Sequence, residues 1–111
     1  MAYDLDLADR LRDLLVDHGE VTERKMFGGL AFLVRGHMVA VARGKGGLMV
    51  RADPAAAADV VASGRALYPE MGNRTMRGWL CVDSSAVKTA AQLQSWVDPA
   101  LAYAATLPPK P

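Results

Sequence analysis

The sequence has only one cysteine, few aromatic residues and no long apolar run in its 111 residues. A single cysteine, Cys81, excludes an internal disulfide and lacks the companion thiolates that a zinc site uses. The apolar run from Leu30 to Val34 is far too short to span a bilayer. The acidic start of the chain is unlike the basic first region of a secretory signal. We therefore expect a cytoplasmic protein in a reducing compartment.

Length and composition indicate a single folded domain over residues 1–111. Hydrophobic residues make up 51% of the chain and aromatic residues 6%. A chain of this size buries enough surface for one core without disulfides or metals, and its apolar content argues against disorder. With so few aromatic rings, Leu, Val, Ala and Met side chains have to fill that core.

The formal net charge of +1 conceals an uneven distribution of charge along the chain. Residues 20–80 carry nine basic and five acidic side chains, whereas the two ends together carry four basic and seven acidic ones. A basic middle segment between acidic ends can contact an anionic partner. Alternatively, these arginines and lysines are solvated at strand edges, where they prevent sheet-to-sheet association.

Apolar periodicity and glycine positions predict one helix and four strands in the first half of the chain. The helix covers residues 4–18, and the strands cover 22–27, 30–35, 38–43 and 47–52. Leu5, Leu11 and Leu15 share one face of that helix. At the tight turn through Arg35 and Gly36, a type II′ conformation with Gly36 at its first central position is the less strained choice.

The second half of the chain alternates helices with one or two strands. The predicted elements are a helix over 54–62, a short strand over 66–71, a turn or loop over 72–75, a strand over 76–83 and a helical region over 86–106. Asp53 is the expected N-cap of the first helix, with Pro54 at its first position. Pro69 suits a sheet edge. Pro99 removes one helical hydrogen bond, so we expect a kink or a restart there.

This order of elements predicts the fold class. Neighbouring strands joined by short glycine loops are antiparallel, and a sheet with an apolar face needs amphipathic helices to cover it. We expect an α+β, two-layer domain with an antiparallel sheet of about five to six strands covered by helices, in the order α-β(3-4)-α-β(1-2)-α.

The sequence offers no evident catalytic or metal-binding constellation. Cys81 lies among Trp79, Leu80 and Val82, where burial makes a thiol inert. His37 lies at a turn without an obvious carboxylate to orient it. Two isolated histidines and one cysteine match no ligand spacing. We therefore expect no enzyme, no catalytic residues, no metal and no cofactor.

The candidate contact residues are five basic and aromatic side chains: Arg24, Lys25, Arg74, Arg77 and Trp79. If the first and last strands come near each other, these residues form a basic patch beside an indole ring. Such a patch can bind a phosphate or a carboxylate-bearing partner. In the alternative interpretation, Trp79 belongs to the core and the charges are solvated.

Four segments carry a resemblance to a known family. They are Arg24–Met38 (RKMFGGLAFLVRGHM), Leu48–Arg51 (LMVR), Met76–Val82 (MRGWLCV) and Leu107–Lys110 (LPPK). With these segments the chain resembles the N-terminal domain of the TfoX (Sxy) family of bacterial competence-regulator-like proteins. The resemblance implies a small α+β domain, no known catalytic residue and a stand-alone form without the C-terminal helical domain. Full-length members regulate transcription of DNA-uptake genes in concert with a cyclic-AMP receptor protein.

Three functions are open at this point. The first is a non-enzymatic interaction module, an accessory to transcription or competence-type regulation that contacts a protein partner through its sheet or basic edge. The second is direct nucleic-acid binding through the basic edge, against which the near-neutral total charge argues. The third is small-molecule binding or catalysis in a pocket near Phe27, Gly28 and Gly29. A homodimer formed through an exposed strand is compatible with each of them, and no membrane contact is expected.

Overall fold

A computed structural model describes residues 3–26, 28–71 and 73–108 of the chain. Within these residues, three α-helices and seven strands follow one another in the order α1 (Leu5–Leu15), β1 (Val21–Met26), β2 (Gly29–Val34), β3 (His37–Ala42), β4 (Leu48–Arg51), α2 (Pro54–Ala62), β5 (Glu70–Met71), β6 (Arg74–Thr75), β7 (Trp79–Val82) and α3 (Ala90–Ala105). The predicted α+β class and order are confirmed. The predicted helix over 4–18 is shorter in the structure, since it ends at Leu15.

Five of the strands form one antiparallel sheet in the order β1-β2-β3-β4-β7. Strands β5 and β6 form a separate two-stranded hairpin, so the segment predicted as a turn or loop over 72–75 also contains the short strand β6. Leu67 forms an isolated bridge with Cys81 of β7. One edge of the sheet, β7, is therefore partly covered by the segment after α2, whereas β1 forms the other edge.

The β2–β3 turn adopts a conformation that the sequence did not favour. Val34 pairs with His37, so the loop consists of Arg35 and Gly36 alone. Their φ angles are 50° and 85°. Positive φ at both central positions is the type I′ geometry, whose twist matches that of the flanking strands. The predicted type II′ turn is wrong because the twist of the hairpin outweighs the cost of a left-handed arginine.

Helix capping explains where the last two helices begin. Asp53 caps α2 by accepting a hydrogen bond from the amide of Ala55, as predicted. Helix α3 begins later than the predicted 86–106, because Thr89 and Gln92 form a capping box. Asp83 instead caps a short 3-10 helix over Ser84–Ala86. Helix α3 continues through Pro99 without a restart.

Apolar side chains cover both faces of the sheet. The larger cluster joins the sheet to the helices and includes Leu11, Phe32 and Val97, which are fully buried. A second cluster lies on the opposite face and consists of Ala31, Leu33, Val41, Met49 and Trp79. The middle strands are therefore buried on both sides, and every residue of β2 is buried.

The structure also bears on membrane crossing. Within the described ranges, no helix combines the length and the apolar character that a bilayer-spanning segment requires.

Candidate functional site

Arg24 and Lys25 lie side by side on the edge strand β1, and both side chains are exposed. Arg24 pairs with Ala31, whose side chain belongs to the second cluster, and Lys25 pairs with Leu30, which belongs to the helix-side core. Because paired residues share a face of the sheet, the Arg24 and Lys25 side chains lie on opposite faces of the sheet at this edge. They form a basic border along β1.

The acidic neighbour in the same strand has a basic partner of its own. Arg12 of α1 donates two hydrogen bonds to the carboxylate of Glu23, one of them 2.8 Å long from Nη2. The hydrogen bonds from Arg12 hold the pKa of Glu23 below its usual value. Among the described residues, neither Arg24 nor Lys25 has a carboxylate within salt-bridge distance. The two uncompensated cations give the β1 edge a positive charge.

The remaining members of the predicted patch lie in β6, in the turn before β7 and in β7 itself. Arg74 lies in the short strand β6 and is exposed. The guanidinium carbon of Arg77 lies 5.5 Å from the centroid of the Tyr68 ring. Trp79 is 7% exposed and belongs to the second cluster, so its assignment to the core is correct.

These residues could form a single patch only if the first and last strands lay near each other, and the structure separates them. Strands β1 and β7 are the two opposite edges of the sheet, with three strands between them. At a strand spacing of about 4.8 Å, roughly 19 Å separates the two edges. Arg24 and Lys25 therefore lie too far from Trp79 to form one patch with it. The first and last strands are not neighbours because β7 pairs with β4 instead of with β1.

Sequence reasoning missed Arg51, which lies beside Trp79. The guanidinium carbon of Arg51 lies 4.8 Å from the centroid of the Trp79 ring, within the range of a cation–π interaction. Its Nε atom donates a 2.7 Å hydrogen bond to the carbonyl oxygen of Met38. A bulge in β3, where Val39 is an extra residue between two ladder pairs, accompanies this contact. Partial burial lowers the pKa of Arg51.

The sequence contains a feature that distinguishes Arg51 from the other arginines. It is the one charged side chain in the segment LMVR, at the end of a strand that is otherwise buried. A charge in that position needs polar contacts that compensate for burial. The position of Trp79 opposite Arg51 follows from the β4–β7 register, which the sequence alone does not provide.

Glycines at positions 28, 29 and 44 allow two backbone segments to pack closely. A Cβ atom on Gly29 would lie 2.2 Å from the carbonyl oxygen of Ala42, and one on Gly44 would lie 2.4 Å from the carbonyl oxygen of Gly28. A cavity of about 300 Å³ lies next to this contact, with Gly44, Met49 and Met76 among its lining residues. Phe27, the third residue of the predicted pocket, lies outside the described residues.

The surroundings of the single thiol disfavour its reactive thiolate form. Cys81 is half-buried. Burial raises the pKa of its thiol, although the charge of Arg43 opposes this effect. A protonated thiol is a poor nucleophile. In the described part of the chain, no group of three or more His, Cys, Asp and Glu side chains is placed to hold a metal ion.

Comparison with known proteins connects this geometry to a family. The model of the TfoX N-terminal domain matches residues 13–104 of the chain. The match includes the β1 edge, Arg51, both glycine contacts and most of α3. A search of curated proteins found no match.

Proposed function

The chain belongs to the TfoX N-terminal domain family, and from that membership we propose that it is a non-enzymatic, cytoplasmic interaction module acting in transcription or competence-type regulation. Its partner is a protein that contacts the β1 edge. The observation that carries this proposal is the pair of uncompensated cations, Arg24 and Lys25, on an edge strand whose four central residues are exposed.

An edge strand offers two means of recognition at once. Its unpaired backbone groups can extend the sheet with a strand from another protein. Its charges choose the partner and speed the encounter. Because Arg12 engages Glu23, the border presents Arg24 and Lys25 without a competing negative charge. An extended segment with acidic side chains has the complementary chemistry.

Charge reversal on the β1 edge tests the proposal. The double variant Arg24→Glu and Lys25→Glu should abolish capture of the protein partner, because two attractions become two repulsions. A matched double variant, Lys45→Glu and Lys88→Glu, changes the total charge equally at exposed positions outside β1. Loss of the same partner from both variants would show only a dependence on net charge and would contradict the proposal.

A regulatory readout completes the test. In a strain that produces the β1 double variant, transcription of the dependent genes should change as it does when the gene is deleted. The matched control strain should behave like the wild type. Unchanged transcription after deletion, together with no specific partner, would remove the basis of the proposal.

Direct nucleic-acid binding predicts a different result. Phosphate contacts by Arg24, Lys25, Arg74 and Arg77 would make affinity fall steeply with salt concentration. An anisotropy titration with duplex and single-stranded DNA at low salt separates the two functions. Binding that weakens in the β1 double variant and in a second double variant, Arg74→Glu and Arg77→Glu, would favour the nucleic acid over the protein partner.

A further inference from the structure

A cavity of about 640 Å³ lies between α2 and α3 on the helix-covered face of the sheet. Helix α3 packs against β3 and β4, whereas α2 packs against β7. Val50 and Leu80 lie between them and form the cavity floor. Its volume falls within the range of roughly 300–1,000 Å³ that is typical of small-molecule sites.

The sequence of α2 explains why this space is not filled. The helix reads PAAAADVVA, and of its residues only Ala57 is buried. A methyl side chain reaches a single carbon beyond the backbone, so the alanines cannot bridge the distance to α3. Ala56 lines the cavity from α2, and Trp96 lines it from α3 together with Pro99. The walls are apolar and the opening lies between two helices.

Among the charged side chains that line the cavity, cations outnumber carboxylates. Arg51, Arg65 and Tyr103 line it, together with the single carboxylate of Asp53. That carboxylate already accepts the N-cap hydrogen bond of α2 from the amide of Ala55. Two arginines therefore line the cavity together with one occupied carboxylate, which leaves an excess of positive charge.

Arg51 has unused hydrogen-bonding capacity at this site. Among the described residues, its Nε atom alone has a protein acceptor, the carbonyl oxygen of Met38. The two Nη atoms have no carboxylate partner there. A partly buried guanidinium without a counter-ion is costly, and its two outer nitrogens can hold a carboxylate in a bidentate pair. The hydroxyl of Tyr103 adds a donor from α3.

We infer that the space between α2 and α3 is a binding site for a small organic anion, with its apolar body against Val50, Leu80 and Trp96 and its carboxylate on Arg51. The body replaces water on apolar walls, and the carboxylate supplies the counter-ion that Arg51 lacks. The inference does not depend on the protein partner of the β1 edge, which lies on another part of the sheet.

Three probe compounds separate the contributions of the apolar body and of the carboxylate charge to the binding affinity. They are 2-naphthoate, its neutral analogue 2-naphthalenemethanol, and acetate, which has the charge without the body. Isothermal titration calorimetry should show 2-naphthoate binding about tenfold or more tightly than the neutral alcohol, because a charged hydrogen bond is lost with the alcohol. Acetate should not bind measurably. Equal affinities for 2-naphthoate and the alcohol would overturn the assignment of an anion site.

A pair of alanine variants locates the site. Ala56→Leu places a larger side chain in the cavity and should abolish 2-naphthoate binding. Ala58→Leu makes the same change at an exposed position of α2 that does not line the cavity, and it should bind as the wild type does. Identical binding by both variants and the wild type would place the probe elsewhere and overturn the proposal.

The role of Arg51 needs a variant that preserves the fold. Arg51→Gln should bring the affinity for 2-naphthoate down to that for the alcohol, and circular dichroism checks that the variant is folded. If it is not, Tyr103→Phe serves as the milder change, with an expected loss of a few-fold in affinity for 2-naphthoate alone. An unchanged preference for the anion in a folded Arg51→Gln protein would contradict the assignment.

The competing occupant is a second copy of the chain that covers the apolar walls. Sedimentation velocity of the wild type and Ala56→Leu distinguishes it. A dimer that Ala56→Leu dissociates, and that excludes 2-naphthoate, would replace the ligand site with an interface. A monomer across the accessible concentrations supports the ligand site.

Discussion

The Nε2 atom of His37 lies 2.6 Å from the carbonyl oxygen of Pro108. A carbonyl oxygen can only accept, so the imidazole donates through Nε2. His37 is 7% exposed and begins β3, whereas Pro108 follows the end of α3. The hydrogen bond therefore fastens the segment after the last helix to the sheet.

Replacing this histidine should loosen that segment. His37→Phe removes the donor while keeping a ring of similar size, so we expect a loss of about 1 kcal/mol in the free energy of unfolding. The amides of Thr106 and Leu107, which close the last turn of α3, should exchange with deuterium faster. His18→Phe at an exposed position is the control. Unchanged exchange in His37→Phe would mean that the contact does not hold the segment.

The ion pair of Arg12 and Glu23 should give stability that depends on pH. The hydrogen bonds from Arg12 lower the pKa of Glu23 in the folded protein, so the contribution is complete above the unfolded pKa and is lost as the pH falls through the folded one. Glu23→Gln should lower Tm at pH 7 by a few degrees at most, because the pair is largely exposed.

Thermal melts of the wild type and Glu23→Gln across the acid range check this sign. The Tm difference between them should shrink toward zero as the medium becomes acidic. Glu20→Gln, at an exposed position of the preceding loop, should show no such trend. A difference that grows with acidity would contradict the assigned partner.

Gly29 should tolerate no side chain. Its Cβ position lies 2.2 Å from the carbonyl oxygen of Ala42 in the neighbouring strand, and neither backbone can move without disturbing the ladder. We expect Gly29→Ala to lower the free energy of unfolding, measured by denaturant titration, by about 2 kcal/mol or more. In Gly78→Ala the nearest atom, the carbonyl oxygen of Ala52, lies 3.8 Å away, so this control should cost little. Equal losses would point to backbone entropy as the cause.

Local signals predicted the secondary structure well wherever a single residue type determines the geometry. Asp53 with Pro54 placed the start of α2 correctly. The start of α3 was wrong because two capping signals compete within a few residues. Thr89 forms the reciprocal pair with Gln92, whereas Asp83 has only a 3-10 turn to cap.

The candidate site was harder to predict because it depends on which strands are neighbours. Arg24 and Trp79 could form one patch only if β1 and β7 were neighbouring strands. No local sequence pattern indicates the order of strands in the sheet. The cavity beside Arg51 was hard to predict for a similar reason, since its size depends on how far α2 lies from α3. The abundance of alanine in α2 was visible in the sequence, but its consequence appears only once the neighbouring helix is placed.

The capping box of α3 should contribute measurably to stability. Thr89 accepts a 3.1 Å hydrogen bond from the amide of Gln92, and the Gln92 side chain accepts one from the amide of Thr89. Thr89→Ala should cost about 1 kcal/mol in the free energy of unfolding. Combining it with Gln92→Ala in a double-mutant cycle tests reciprocity. Purely additive losses would show that the two hydrogen bonds act independently.

Arg35 has a backbone conformation that suits another residue better. Its φ of 50° is left-handed, which asparagine tolerates more readily than arginine. We expect Arg35→Asn to raise the free energy of unfolding by about 0.5 kcal/mol. The Arg35 guanidinium lies close to Gly19, so Arg35→Ala is needed as a reference that loses this contact and keeps the strained φ. Arg35→Asn should be more stable than Arg35→Ala in denaturant titrations. Equal stability of the two variants would show that the left-handed conformation carries no cost at this turn.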